Sequence, residues 1–532
     1  MSRIRYSLRE IEFKYLSGED KSLLENLVRA FRGIQKLDPS DPDSFFTIAG
    51  YHGEPFRGKG TTDPDWWGGY CNHGNVLFPL WHRAYLLRLE DALRNVPGCQ
   101  DVTLPFWDEC FTSTSGHGSP IPVILTTPFF DLDGQNHNPL YSYKLQEALV
   151  EEVEGAGERY SKPQGYETVR YPLSGLVGTE ADRQATAEHN QIYADANENV
   201  KILNCNVADW LNGGVQLTDD DVHTPMPDTY SVFSRFKISL DAPNYTVFSN
   251  NTSAKQWIKD KGSADPHYVV ALESPHNAIH LAVGGFYCKG IYNADTILGA
   301  NGDMGDNETA GFDPIFFFHH AFIDYVFWKW QMKNKLTRAG DLQIIPGYAG
   351  TISDEGLPDI PPKTALDLNT PLYPFRKPDG NWYTGADVTD INNQLDYQYG
   401  PGSLDPFIHD RPFLGQDNQA PIVNYDKSDN IDRAQYAGSF VVRTYAKGPG
   451  HPEEVEIGRD PILSRWNVQG CANCQSHLGV QSYVPLDTYL LSVLKGDGEE
   501  REIQYRTAIH THDNILYEGP SAGVEGLRTQ LV

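Results

Sequence analysis

Four stretches of this chain place apolar residues at helical spacing, and each opens on helix-start chemistry. SFFTIAGYH follows Asp41-Pro42, and FPLWHRAYLLRLEDALR carries Pro79 in its first turn. HNAIHLAV follows Ser274-Pro275 and stops at Gly284-Gly285, and IFFFHHAFIDYVFWKW follows Asp313-Pro314. Ser or Asp ahead of a first turn satisfies otherwise unpaired N–H groups, and Pro at the first position presets φ. Four helices are therefore expected, packed as a bundle able to project polar side chains inward. After Gly400 the pattern changes: PGSLDPFIHDRPFLGQDNQAP is rich in Pro, Gly and Asp and reads as a linker. Beyond it, SFVVRTYA (439–446), TYLLSVL (488–494) and QYRTAIHTH (504–512) read as strands. The expected architecture is a mainly α unit with a central four-helix bundle (1–402), a linker (403–415) and a C-terminal β-sandwich (416–532).

A length of 532 residues exceeds the usual size of one core and agrees with two units. A net charge of −28 argues against a phosphate-binding surface, so no nucleic-acid partner is expected. No uninterrupted apolar run approaches the ~18 residues of a membrane span. The first residues, MSRIRYSLREIEF, are charged throughout, unlike a secretory signal. Seven scattered cysteines do not resemble a disulfide scaffold. The expected compartment is a reducing cytoplasm.

The candidate chemistry lies on the four apolar stretches. Neutral imidazole is the commonest side-chain ligand for copper, zinc and iron. His52 and His82 belong to the first two stretches, and His73 lies between them in the Gly-rich loop WWGGYCNHGN. His276 and His280, spaced i, i+4, share a helical face and can reach one ion. His319 and His320 point about 100° apart, so one ion takes only one of them. His320 is the expected ligand. Phe316 precedes it by four residues, as Phe78 precedes His82, and Asp324 follows it by four as a candidate acceptor fixing the ring. Three imidazoles in each set would leave an open coordination position on each of two ions. Cys71, two residues before His73, is either a buried small thiol or a sulfur close enough to bond to that imidazole. The pair Cys471 and Cys474, taken alone, fits half a zinc site, a redox pair or a soft Cu(I) site.

With these residues assembled, the chain resembles the type-3 copper proteins, specifically the fungal tyrosinases and polyphenol oxidases. The motifs are YCNHGNVLFPLWHRAYLLRLE, SPHNAIHLAVGG, FDPIFFFHHAFIDYVFW and the Tyr-x-Tyr-Gly ending at Tyr397, Tyr399 and Gly400. The resemblance implies two copper ions in the bundle, one held by His52, His73 and His82, the other by His276, His280 and His320. It implies O2 and phenolic small molecules as partners, with ortho-hydroxylation of monophenols and oxidation of o-diphenols to o-quinones. Cys71 matches the cysteine that forms a thioether to the second histidine of the first site. Glu273 and Asn277 match a pair that holds a water proposed to deprotonate the phenol. A phenol pKa near 10 makes such a base useful. Cys471 and Cys474 match a pair that assists copper loading, in a C-terminal unit that covers the site of a latent proenzyme whose products feed melanin. The competing activities are a catechol or o-aminophenol oxidase without monophenolase activity and, more remotely, a haemocyanin-like oxygen carrier. Whether the chain forms a homo-oligomer is left open by the sequence.

Overall fold

The computed structural model describes residues 3–53, 69–151, 159–216, 222–223, 229–261, 268–286, 300–357, 359–409, 422–468, 471–511, 516–518 and 528–531. All four apolar stretches are helical. Helix α1 (Phe45–Gly50) starts at Ser44, whose hydroxyl accepts from the Thr47 N–H, and His52 lies just past its end. Helix α2 (Phe78–Asn95) has Pro79 in its first turn. Helix α3 (Glu273–Gly284) takes Ser274 and Pro275 into its first turn. Helix α4 (Ile315–Asn334) begins where the Asp313 carboxylate accepts from the Ile315 N–H at 3.1 Å, and it ends at Lys335 in the left-handed region. From Ile315 to Gln331 α4 is buried on every side, as expected of a helix apolar all round. Among the described residues, no helix is long and apolar enough to cross a membrane.

Two close approaches set the centre of this helical unit. A Cβ at Gly284 would stand 1.9 Å from the Gly305 nitrogen, so only glycine lets the 303–305 segment lie against α3. Strand β1 (Arg3–Arg5) pairs in parallel with β2 (Tyr397–Tyr399), joining the start of the chain to the end of the helical unit. The next stretch is pinned as well. Asp108 accepts from the Ser403 N–H at 2.9 Å, and the Tyr325 hydroxyl donates to Asp405 at 2.8 Å. Of the expected linker 403–415, residues 410–415 lie outside the described residues.

The C-terminal region has substantial sheet content. Its strands are β3 (Ile422–Asp432), β4 (Phe440–Gly448), β5 (His451–Ile462), β6 (Gly479–Asp487), β7 (Gln504–Thr511), β8 (Leu516–Glu518) and β9 (Arg528–Leu531). They form an antiparallel three-stranded sheet, β6-β3-β9, and an antiparallel four-stranded sheet, β5-β4-β7-β8. Ile431, Val480, Phe440, Val442, Ile462 and Ile509, drawn from both sheets, share one buried cluster. The run TYLLSVL, expected as a strand, is instead helix α5 (Thr488–Lys495). Asp487 caps it by accepting from the Leu490 N–H, and Leu490, Leu491 and Leu494 bury one helical face. A short apolar run does not distinguish a strand from a buried helix by periodicity alone.

The β3 carboxylate Asp426 is buried with neither oxygen hydrogen-bonded, and burial pushes its pKa up to about 7. An unfolded aspartate titrates near 4, so the folded protein retains this proton between about 4 and 7 and loses stability as pH rises through that window. Asp426→Asn is expected to flatten that pH dependence and to stabilise the C-terminal unit at pH above 7 by up to about 4 kcal/mol. Urea unfolding on the acid and alkaline sides of that window checks this.

Candidate metal centre

Where each imidazole places its N–H decides what its other nitrogen faces. A carbonyl oxygen can only accept, so the nitrogen beside it carries the proton. His52 Nδ1 donates to the Asn307 carbonyl at 3.1 Å, His82 Nδ1 to the Phe78 carbonyl at 2.8 Å and His280 Nδ1 to the Met304 carbonyl at 2.9 Å. His276 Nδ1 bonds the side-chain oxygen of Asn277 at 2.9 Å. Nε2 is thereby left as a lone pair. In His52, His73 and His82 it is buried without a hydrogen-bond partner. In the second set, His320 Nε2 stands 3.3 Å from Nε2 of both His276 and His280.

The two sets face each other. Donor atoms of His276, His280, His319 and His320 lie within 4.8 Å of one another, as do those of His52 with Cys71 and His73 and of His52 with His82 and His320. His82 stacks on His320 with ring centroids 4.3 Å apart, and His73 lies 5.6 Å from His276. This donor set fits metal. Three nitrogens each about 2.0 Å from a common ion at tetrahedral angles stand about 3.3 Å apart, the spacing seen around His320. Burial also lowers every one of the six pKa values, to about 3 for His82 and about 4 for His280. At neutral pH all are therefore uncharged, the state coordination requires.

His319 shares the donor cluster of His276, His280 and His320, with its Nε2 buried and without a hydrogen-bond partner, while its Nδ1 bonds Glu109 Oε1 at 2.5 Å, both side chains being fully buried. Burial raises the Glu109 carboxyl and lowers the His319 imidazole, which favours one shared proton and no net charge. Asp324 requires a correction. It does not orient His320, whose Nδ1 has no hydrogen-bond partner. Its carboxylate is taken by the Arg83 guanidinium at 2.5 Å and by the hydroxyls of Tyr397 and Tyr399 at 2.7 and 2.6 Å, with Arg5 at 3.5 Å. Two buried guanidiniums are stronger partners for a carboxylate than a neutral ring. Packing holds His320 instead, against Phe316 at 4.2 Å and His82.

Glu273 and Asn277 both stand beside the centre, already hydrogen-bonded. Glu273 accepts from the Gly74 N–H at 2.7 Å and the Asn251 N–H at 2.8 Å, and burial raises its pKa. Cys71 is a free, buried thiol, and Asn307 donates to its sulfur at 3.3 Å. Cys471 and Cys474 are joined as a disulfide, so in this form they present no thiolate to a metal. They share a small cavity with Cys71, His73, Arg465 and Asn473. Sequence reasoning missed Glu109, Arg465, Asn473 and the carbonyls of Met304 and Asn307. Backbone acceptors leave no trace in residue type.

The common central domain of tyrosinase matches residues 42–333. Tyrosinase HcTyr2 of Hahella sp. is 49% identical over 502 residues, covering 91% of this chain and 88% of the relative. A tyrosinase of Aspergillus oryzae is 42% identical, covering 94% and 92%. The solved structure of a tyrosinase from Burkholderia thailandensis at low pH superposes with a TM-score of 0.81 at 42% identity, covering 100% of this chain and 99% of that one. Bacterial and fungal relatives match alike, so the fungal qualifier in the sequence reading is not supported.

Replacing His320 by Asn is expected to remove one of two bound ions, whereas His319→Asn should retain both. Metal content per chain after gel filtration distinguishes them.

Proposed function

This chain belongs to the tyrosinase family, and from that premise we propose that it is a copper-dependent oxidase of phenols, hydroxylating monophenols and oxidising o-diphenols to o-quinones. The observation that carries this is the convergence of two neutral, desolvated imidazole sets on one buried space. His52, His73 and His82 would hold one copper ion and His276, His280 and His320 the other. When bound, the two coppers supply the binding and reduction of dioxygen and the electron transfer from substrate. The protein supplies the rest. Met304, Asn307 and Phe78 carbonyls fix the tautomers of three rings. Phe316 and Phe78 exclude water around the imidazoles, as their ring contacts with His320 and His82 allow. Glu273, one turn before Asn277 on α3, is read as the base that takes the phenol proton through a water held with that amide. Its buried, raised carboxyl supports the role.

Residues 1–402 are read as the catalytic unit, its four histidine-bearing segments as a bundle, 403–415 as the linker, and 416–532 as a β-sandwich cover. A latent form follows from that reading, because the C-terminal unit lies on the helical one. Leu463 is buried in the helical unit's own core cluster, and Glu308 accepts from the Trp466 N–H at 2.7 Å. The thioether between Cys71 and His73, and copper loading by reduced Cys471 and Cys474, belong to the same proposal.

Copper-loaded protein is expected to carry two ions, to hydroxylate tyrosine weakly and to do so faster after limited proteolysis. Glu273→Gln is expected to lower tyrosine hydroxylation about 10²-fold or more while sparing L-DOPA oxidation. Oxidation of the diphenol alone by the wild type would indicate a catechol oxidase. Reversible oxygen binding without turnover would indicate a carrier.

A further inference from the structure

His73 is the ligand with the least local support. His82, His276, His280 and His320 project from helices and His52 follows one directly, but His73 sits in a loop without regular structure. Several contacts hold that loop near the ligand. The Gly74 N–H donates to Glu273, and the Asn75 side-chain amide caps its own loop by donating to Asn72 Oδ1 at 3.1 Å and, at the longer distance of 3.4 Å, to the His73 carbonyl. Two more bonds come from some four hundred residues further along the chain. Asn473 Nδ2 donates to the backbone carbonyl of His73 itself at 3.1 Å, while Asn473 Oδ1 accepts from Asn75 Nδ2 at 3.1 Å. One buried amide therefore bridges the ligand residue and its neighbour but one.

The local geometry around Asn473 is closed. It lies between Cys471 and Cys474, which are bonded to each other, and the Cys474 N–H donates to the Cys471 sulfur at 3.2 Å. On the other side, His477 is pressed against the glycine that follows the ligand. A Cβ at Gly74, which holds φ of +71°, would stand 2.9 Å from the His477 ring. Asn473 and His477 thus enclose the loop at His73 and Gly74.

We propose that Asn473 is a positioning residue for His73, held in register by the Cys471–Cys474 bond, so that the C-terminal unit completes the first metal site as well as covering it. This rests on the reading of His73 as a ligand. Opening the bridge with a dithiol, which is itself oxidised to a disulfide as Cys471 and Cys474 become thiols, releases the four-residue ring carrying Asn473 and with it the grip on His73.

The test uses the full chain with two readouts. The first is amide exchange of residues 70–77, followed without metal. The second is titration with Zn2+ alone. Asn473→Ala, Asn473→Asp (which keeps the acceptor for Asn75 but loses the donor to His73) and the Cys471→Ser/Cys474→Ser pair are each expected to speed exchange of the Gly74 amide. Each is also expected to weaken one of the two Zn2+ sites about 10- to 100-fold, the usual cost of removing a ligand's supporting hydrogen bond. The other site should be unchanged, an asymmetry that general loosening of the fold would not produce. Wild-type exchange and affinity in the Asn473 variants would overturn the proposal, as would loosening in those variants with none in the serine pair. If wild-type protein itself binds no Zn2+, the ligand reading fails, and the exchange readout still decides whether Asn473 holds the loop.

Discussion

The centre depends on the desolvation of imidazole. Five histidines of the two sets, with His319 beside them, are buried, the sixth, His73, is half-buried with its Nε2 shut from water, and burial makes the charged form of each unfavourable. A neutral imidazole has one proton and one lone pair, so an acceptor that takes the first fixes where the second is aimed. Four of the rings have such an acceptor, an oxygen on a nearby turn or neighbouring residue. Much of the local architecture serves that need. Gly284 lets the 303–305 segment approach α3, and that approach brings the Met304 carbonyl to His280.

A second buried polar network holds the frame in which those rings sit. Asp324 on α4 gathers Arg83 from α2, Arg5 from β1 and the hydroxyls of Tyr397 and Tyr399 from β2. Arg5 also pairs with Glu90, itself fully buried. Opposite charges at hydrogen-bonding distance offset the desolvation of each, and breaking such a set by removing one member costs roughly 3–5 kcal/mol. The network connects the first residues of the chain, two histidine-bearing helices and the Tyr-x-Tyr-Gly ending. It explains why that ending is polar and aromatic: both tyrosine hydroxyls bond Asp324.

The C-terminal unit engages the helical one through its backbone and through single side chains. The Ser439 hydroxyl donates to the Gly305 carbonyl at 2.7 Å, and Arg465 reaches the Cys71 sulfur at 3.8 Å. Glu308, pushed up to about 8 by burial, receives the Trp466 N–H. These contacts fall on the 305–308 segment and on the loop of His73, two pieces outside the α-helices that border the first histidine set. The C-terminal unit thus meets the helical one beside residues that regular α-helix does not hold.

The sequence by itself determined the four helices, the shared face of His276 and His280, the two sets of histidines and the change to a sheet-rich unit after Gly400. Each of these rests on local rules: caps, prolines, the 3.6-residue period and a preference that acts within a few residues. It misread TYLLSVL, because an apolar run of that length satisfies a strand or a helix until packing selects the face. It also misassigned Asp324, because a residue one turn from His320 on the same face can still turn to a stronger partner. Tertiary structure alone decided which carbonyl receives each imidazole proton, that Glu109 meets His319 and that Asn473 grips His73. These contacts join residues remote in sequence and often involve the backbone. Burial makes each of them obligatory, since a polar atom shut away from water must find its partner wherever the fold brings one.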